Sequence, residues 1–328
     1  MRGSSVRALL YSLFISSTVL AHHGVATLGY SGLYGPGSPL ESSSSLTLPE
    51  GYFLFYLKLD RAKFKTYPDK GAQQTDMYQF WFYGLGYGIK PWLSAYLFLP
   101  YNYKKDKNNW FNTVGFADPI VSIVLGFKYD EGFRLVPEKE SIDELADWHF
   151  TLYTSISIPS AEDSLRDYRG QIDPVKSLGY GKPTVSVGFN TTKMLNDKLT
   201  LILGTSYMKF FENRYDDGLR YKFGDEIRAD VALAYNLLVK EKTKIRLDVL
   251  VELNFLNIER DEENGKKLSA SGGRTLYTTT GLRLYYKNLS IGAGIKLPFW
   301  KDLNEESEQQ GSEGLEKYRV ILTLSFLF

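Results

Sequence analysis

The segment KIRLDVLVELNF, residues 244–255, constrains the fold more than any other stretch of this chain. With a period of two, Ile245, Leu247, Val249, Val251, Leu253 and Phe255 fall on one side. Lys244, Arg246, Asp248, Leu250, Glu252 and Asn254 fall on the other. A helix would scatter those charges around its circumference, whereas a strand turns successive side chains to opposite faces. Residues 221–239 repeat the pattern, with Ile227, Ala229, Val231, Leu233, Tyr235 and Leu237 set against Glu226, Arg228, Asp230 and Asn236. In LSIGAGIKL, Gly292, Gly294 and Lys296 oppose Ile291, Ala293 and Ile295.

Twelve such segments follow one another, at 51–63, 76–89, 92–103, 116–129, 148–159, 182–191, 198–211, 221–239, 243–258, 274–286, 289–299 and 315–328. A soluble sandwich also alternates, but its strands run to about 5 or 6 residues. A tilted strand that crosses a bilayer needs about 9–11, and these segments reach it. Aromatic residues gather near segment ends (Tyr78, Trp81, Tyr101, Tyr103, Trp300, Tyr318, Phe328), as interfacial girdles do. The chain carries 24 Tyr and 20 Phe, a composition that favours strands. Connections alternate between short turns (Lys90-Pro91, TKMLND, VKEKT, Lys287-Asn288) and longer polar loops. The fourth connection breaks the alternation, and its SIDELAD is expected to form one helical turn. The reading is an all-β, transmembrane antiparallel barrel of about twelve strands over residues 51–328, monomeric, with the lipid bilayer as its main partner.

The first 21 residues have Arg2 and Arg7, then an apolar run, then Val19 and Ala21 at the spacing of a signal-peptidase site. Cleavage after Ala21 and export to the cell outer membrane are expected. Residues 22–50 are rich in Gly, Ser and Pro and form an irregular arm. That arm either folds into the lumen as a plug or hangs as a disordered tether. The last strand places Leu322, Leu324, Phe326 and Phe328 at alternate positions. This arrangement, above all Phe328, Phe326 and Leu324, resembles the terminal signal by which the barrel-assembly machinery recognises its clients.

Three stretches carry a resemblance to a family. GFADPIVSIVLGFKY (115–129) resembles the Gly-x-x-Asp strand motif of the MetA-pathway of phenol degradation family. LYTSISIPSAEDS (152–164) resembles that family's strand that ends in proline and small residues, with Pro159-Ser160-Ala161 where the family tends to show Pro-Thr-Gly. The terminal strand ending in Phe fits as well. The resemblance implies an outer-membrane barrel of transporter type, some members being encoded with aromatic-degradation genes. It implies no catalytic residue.

If the apolar faces meet lipid, the lumen receives Lys58, Asp60, Lys128, Arg228, Asp230, Lys244, Arg246, Asp248, Glu252, Arg283, Lys296 and Arg319. The pairs Arg228/Asp230 and Arg246/Asp248 on neighbouring strands are expected to form cross-strand ion-pair ladders that stiffen the wall, ahead of a dedicated charge filter. Phe80, Phe82, Tyr96 and Phe98 would add an aromatic patch to one wall, although both faces of those strands are apolar and the opposite orientation stays open. Twelve strands leave a narrow pore, wider than eight and narrower than sixteen. Such a lumen points to passage of small, hydrophobic or aromatic solutes. The alternative is a structural or surface-interaction barrel acting through its external loops.

Other functions are disfavoured. Lys plus Arg number 39 against 38 Asp plus Glu, which gives no basic footprint for nucleic acid. With no cysteine, disulfides and thiolate chemistry are excluded. No cofactor is expected, and the one low-ranked metal candidate is the His22, His23 pair at the mature N-terminus. The strand histidine, His149, is followed by Phe-Thr and lacks a serine two residues on, so an enzymatic dyad of the outer-membrane phospholipase kind is not expected.

Overall fold

The computed structural model describes residues 35–66, 74–109, 111–309 and 311–328. The leader and the His22, His23 pair lie outside the described residues. Twelve long strands form the wall: β1 (Phe53–Phe64), β2 (Thr75–Lys90), β3 (Leu93–Asp106), β4 (Ile120–Tyr129), β5 (Trp148–Ser157) and β6 (Val185–Asn196). They continue as β7 (Leu199–Lys209), β8 (Glu226–Lys240), β9 (Ile245–Ile258), β10 (Gly273–Tyr286), β11 (Leu289–Leu303) and β12 (Glu316–Leu327). Each pairs antiparallel with its chain neighbours, and β1 pairs with β12, so the sheet closes into a ring with no free edge. At the seam Phe53 and Phe328 exchange backbone hydrogen bonds of 2.8 and 2.9 Å, and their rings stack at 5.9 Å. Closure removes the unpaired edge that hydrocarbon would penalise.

The period of two sorts the faces as the residue pattern requires. Val251 and Leu253 on β9 are 46% and 45% exposed on the outer surface, whereas Arg246 and Asp248 are 2% and 0% exposed. Trp300, Tyr318 and Phe328 lie on the outer face. Tyr78 does not: it is buried in an interior aromatic cluster with Phe64 and Phe80. One end of the barrel carries tight turns, here called the turn end. Lys244 belongs there, in the left-handed region (φ 51) after the short 3-10 turn Glu241–Thr243, and it is exposed rather than luminal. The other end carries the long connections and is called the loop end.

Two segments depart from the simplest pattern. The fourth wall strand is split: a short strand, Thr113–Phe116, pairs with β3, then Ala117, Asp118 and Pro119 interrupt the ladder before β4 begins. Residues 221–239 are also not one strand, because Arg220–Lys222 leave the wall for a small four-stranded patch at the loop end. The long fourth connection does form a helical turn, α1 (Ile142–Leu145), with Ser141 as N-cap and Glu144 completing a capping box.

Candidate functional site

The lumen is occupied by the protein's own chain. Residues 35–48 have no strand pairing and lie inside the barrel. Side chains from widely separated strands hold them. The Glu252 carboxylate of β9 accepts from the successive backbone N–H groups of Leu40 (2.5 Å), Glu41 (3.1 Å) and Ser42 (2.8 Å), and from the Ser42 hydroxyl. Consecutive N–H groups that converge in this way form an anion-binding nest. Glu41 then bridges Lys58 of β1 (2.8 Å) and Lys296 of β11 (2.6 Å). Arg283 of β10 donates to the carbonyls of Ser38 and Pro39. Arg246 donates to the Gly35 carbonyl, and its Nε reaches Asp248 at 2.7 Å. Further along, Ser45 N donates to Thr192 Oγ1 at 3.0 Å and Leu48 N to Ser94 Oγ at 2.9 Å.

Leu40 is seated in a hole that the wall provides by omission. A Cβ at Gly281, Gly292 or Gly294 would lie 2.4, 2.5 or 2.5 Å from a Leu40 methyl, so only glycine leaves room at those positions. The glycine-bearing face of LSIGAGIKL is thus a socket as well as an inward surface.

Of the residues the sequence assigns to the lumen, Lys244 alone lies outside it, at the turn end, and the others point inward. Lys58, Asp60, Arg246, Asp248, Glu252 and Arg283 are buried, and Arg228 and Asp230 are nearly so. The expected ladder between Arg228/Asp230 and Arg246/Asp248 does not form. The β8–β9 register sets Arg228 opposite Leu256 and Asp230 opposite Asn254, while Asp248 faces Asn236. Arg228 instead binds Glu226 on its own strand (2.7 Å), Arg246 binds Asp248 on its own strand, and Asp230 accepts from Asn254 Nδ2 (2.9 Å). Arg319 binds Glu316 of its own strand at 2.6 Å and Glu313 of the preceding loop at 3.0 Å, with Asp60 of β1 at 3.6 Å. Lys58, Glu252, Arg283 and Lys296 hold the arm, and the Arg228–Glu226 and Arg246–Asp248 pairs lie within the wall, because a buried charge survives only where its partner is fixed and hydrogen-bonded.

Phe80, Phe82, Tyr96 and Phe98 all face inward but belong to two separate clusters. Tyr96 and Phe98 pack near the turn end with Leu48, Leu54, Tyr56 and Tyr153. Their rings cover Gly86 and Gly84 on β2, the residues directly across the strand pair. Phe80 and Phe82 join a larger cluster at the loop end, where Ile172, Val175 and Tyr180 of the β5–β6 connection meet Phe210, Tyr221 and Phe223. That connection is drawn in by Lys104 Nζ, which donates to the carbonyls of Val175 (2.7 Å) and Ser177 (2.6 Å). Lys176 is paired with Asp106 in the same place. Between the arm and this aromatic layer lies a cavity of about 30 Å3, touched by Glu41, Tyr153, Asn190, Arg228, Asp230 and Lys296. A water needs about 10–15 Å3, so this cavity has room for about two or three waters.

Asp118, which sequence reasoning noticed only as a motif letter, ties two of the familiar stretches together. Its Oδ1 accepts from the N–H groups of Ser160 (3.0 Å) and Ala161 (2.9 Å), and its Oδ2 from Tyr180 N–H (3.0 Å). The carboxylate sits in the break of the fourth wall strand and fixes both ends of the inward-folded connection. A family model described as "Putative MetA-pathway of phenol degradation" matches residues 70–302. The chain belongs to this family. No curated protein sequence matches it. Among solved structures, an outer membrane channel from Pseudomonas putida F1 is similar over 87% of this chain and 98% of its own, at 11% identity and a TM-score of 0.63. The NanC porin is similar at 10% identity, covering 83% of this chain and 98% of its own, with a TM-score of 0.46. The TodX monoaromatic hydrocarbon channel, as a deletion mutant, is similar at 11% identity over 91% and 98%, with a TM-score of 0.38. The first likeness establishes the fold, that of an outer-membrane β-barrel.

His149 is turned inward at the turn end, with Nε2 2.9 Å from Glu140 and Nδ1 3.0 Å from the Asp147 carbonyl oxygen. Lys128 beside it meets Glu140, Glu144 and Asp147 at 3.2–3.6 Å. This cluster fastens α1 beneath β4 and β5 and presents no side chain to lipid.

Proposed function

We propose that the chain is an outer-membrane channel that passes small hydrophobic or aromatic solutes by passive movement through its lumen. Displacement of the arm around residues 35–48 is the step that opens it. The observation that carries this reading is the way the arm is held. It makes side-chain hydrogen bonds and ion pairs to eight wall strands and no β-ladder, so it can leave without breaking the barrel. The aromatic layer at the loop end offers apolar contacts to a solute, and family membership supports an aromatic one. The arm held inside the lumen supports a second reading, a barrel that works only through its external loops.

One experiment separates the two. The chain contains no cysteine, so Ser45→Cys with Thr192→Cys introduces a single cross-link between arm and wall. Liposomes carrying this variant are assayed for swelling with a panel of aromatic acids, alkanes and sugars, oxidised and then reduced. The channel reading expects passage of aromatic solutes when reduced and none when oxidised. Equal rates in both states, matching protein-free liposomes even after residues 35–48 are deleted, would remove the channel reading and leave the second.

A further inference from the structure

On the outer surface at the loop end, β9, β10 and β11 carry an open groove of about 360 Å3 that plays no part in the lumen. Its lining includes Asn257, Glu259, Arg260, Lys267, Arg274 and Asp302. Three of these form one row across the strands, since Asn257 pairs with Arg274 and Arg274 pairs with Asp302. Residues opposite each other on a sheet share a face. The next outward row toward the barrel's middle is Phe255, Leu276 and Trp300, which are also mutual partners. Two residues of strand rise about 7 Å, so the charged row begins roughly that far above an apolar row ending in tryptophan. Trp marks the interface in membrane barrels. The groove therefore lies at headgroup height.

Its chemistry narrows the occupant. Arg274 Nε donates to Asn257 Oδ1 and Arg260 Nη2 to Asn304 Oδ1, each at 3.3 Å, which lays both guanidinium groups along the groove. Neither arginine, nor Lys267, forms an ion pair with a carboxylate among the described residues. Arginine forks match phosphate geometry. Glu259, Asp302 and the carboxamides of Asn257 and Asn304 suit hydroxyl and amine groups instead. An acyl chain alone would gain nothing from this polar and charged lining. In barrels of this class the long loops mark the external side.

We propose that this groove binds the phosphorylated saccharide headgroup of an outer-leaflet glycolipid, with phosphate on Arg274, Arg260 and Lys267 and sugar hydroxyls on the acidic and carboxamide side chains. The site is independent of whether the lumen conducts. The test uses the full chain in non-ionic detergent, titrated with bis-phosphorylated lipid A, with the same lipid after dephosphorylation, and with inorganic phosphate. Loss of one charge-assisted contact is worth about tenfold in affinity, so the dephosphorylated lipid and Arg274→Gln should each bind about tenfold more weakly. The triple variant Arg260→Ala, Lys267→Ala, Arg274→Ala should bind weaker still and show a shallower salt dependence. All three side chains are exposed, and retained heat-modifiable mobility on gels confirms the fold, with Arg274→Lys as a conservative control that keeps most binding. Equal affinity for both lipids, unchanged binding by the triple variant, or displacement by millimolar inorganic phosphate alone would each overturn the proposal.

Discussion

At the residue scale, two side chains do work that their types alone would not announce. Leu40 fills a socket of three glycines and is fully buried. Truncating such a leucine costs about 2–5 kcal/mol, and here the loss falls on docking of the arm and not on the wall. Leu40→Ala is expected to raise hydrogen exchange at residues 35–48 while exchange in β9 to β11 stays as it was; an unchanged arm would show that the socket contributes nothing. Asp118 satisfies three backbone donors at once. Asn in its place keeps the shape but offers one acceptor oxygen, leaving at least one buried N–H unpaired at about 1–3 kcal/mol. Asp118→Asn should therefore open the buried Lys176 of the β5–β6 connection to trypsin, with the barrel itself intact. Cleavage no faster than in the parent chain would count against the staple.

At the element scale, the strands were legible and the insertions were not. Twelve strands could be read because each has a lipid face and a closed-in face, and a period of two survives in the residues. The expected ladder from Arg246/Asp248 to Arg228/Asp230 failed because alternation fixes which face a residue takes but not which partner lies across. Register set Asp230 against Asn254 and left each arginine to an acid on its own strand. Tyr78 was misplaced for a related reason: an aromatic near a strand end suits a girdle or an interior layer equally. The arm was undecidable because its contacts are side-chain hydrogen bonds and ion pairs scattered over widely separated strands, with no periodicity to betray them. The loop-end hairpins offer a pH prediction. In the β9–β10 connection Asp261 accepts from Tyr221 Oη at 2.7 Å and Gly224 N at 2.7 Å, yet burial raises its carboxyl from 3.8 to about 6. Because the folded-state value is the higher one, the folded loop is favoured at low pH and loses stability as pH climbs from 3.8 to about 6, with no further change above. Hydrogen exchange at residues 220–226 and 261–271, corrected for intrinsic rate, should be slower at pH 5 than at pH 8; Asp261→Asn should abolish the difference.

At the scale of the whole molecule, the seam decides whether there is a barrel at all. Phe328 closes the ring through its backbone bonds to Phe53, and its ring stacks on Phe53 and Phe326. An aromatic pair contributes about 0.5–1.5 kcal/mol beyond burial, a small part of a closed sheet. If the terminal Phe also serves as an assembly signal, Phe328→Ala should sharply lower the amount of barrel reaching the membrane, while refolded protein melts nearly as before. Equal loss in both measurements would make the residue a structural clasp and nothing more.

The arm joins β1 at the turn end, where Gly51 N–H donates to Gly88 O at 2.8 Å. It is therefore a ligand on a leash. A short flexible tether holds its cargo at an effective concentration near the millimolar range, so modest individual contacts suffice to keep the lumen filled. Any solute entering from outside competes with a rival that never diffuses away. Lengthening the leash, without touching one residue of the lumen, would make that rival weaker.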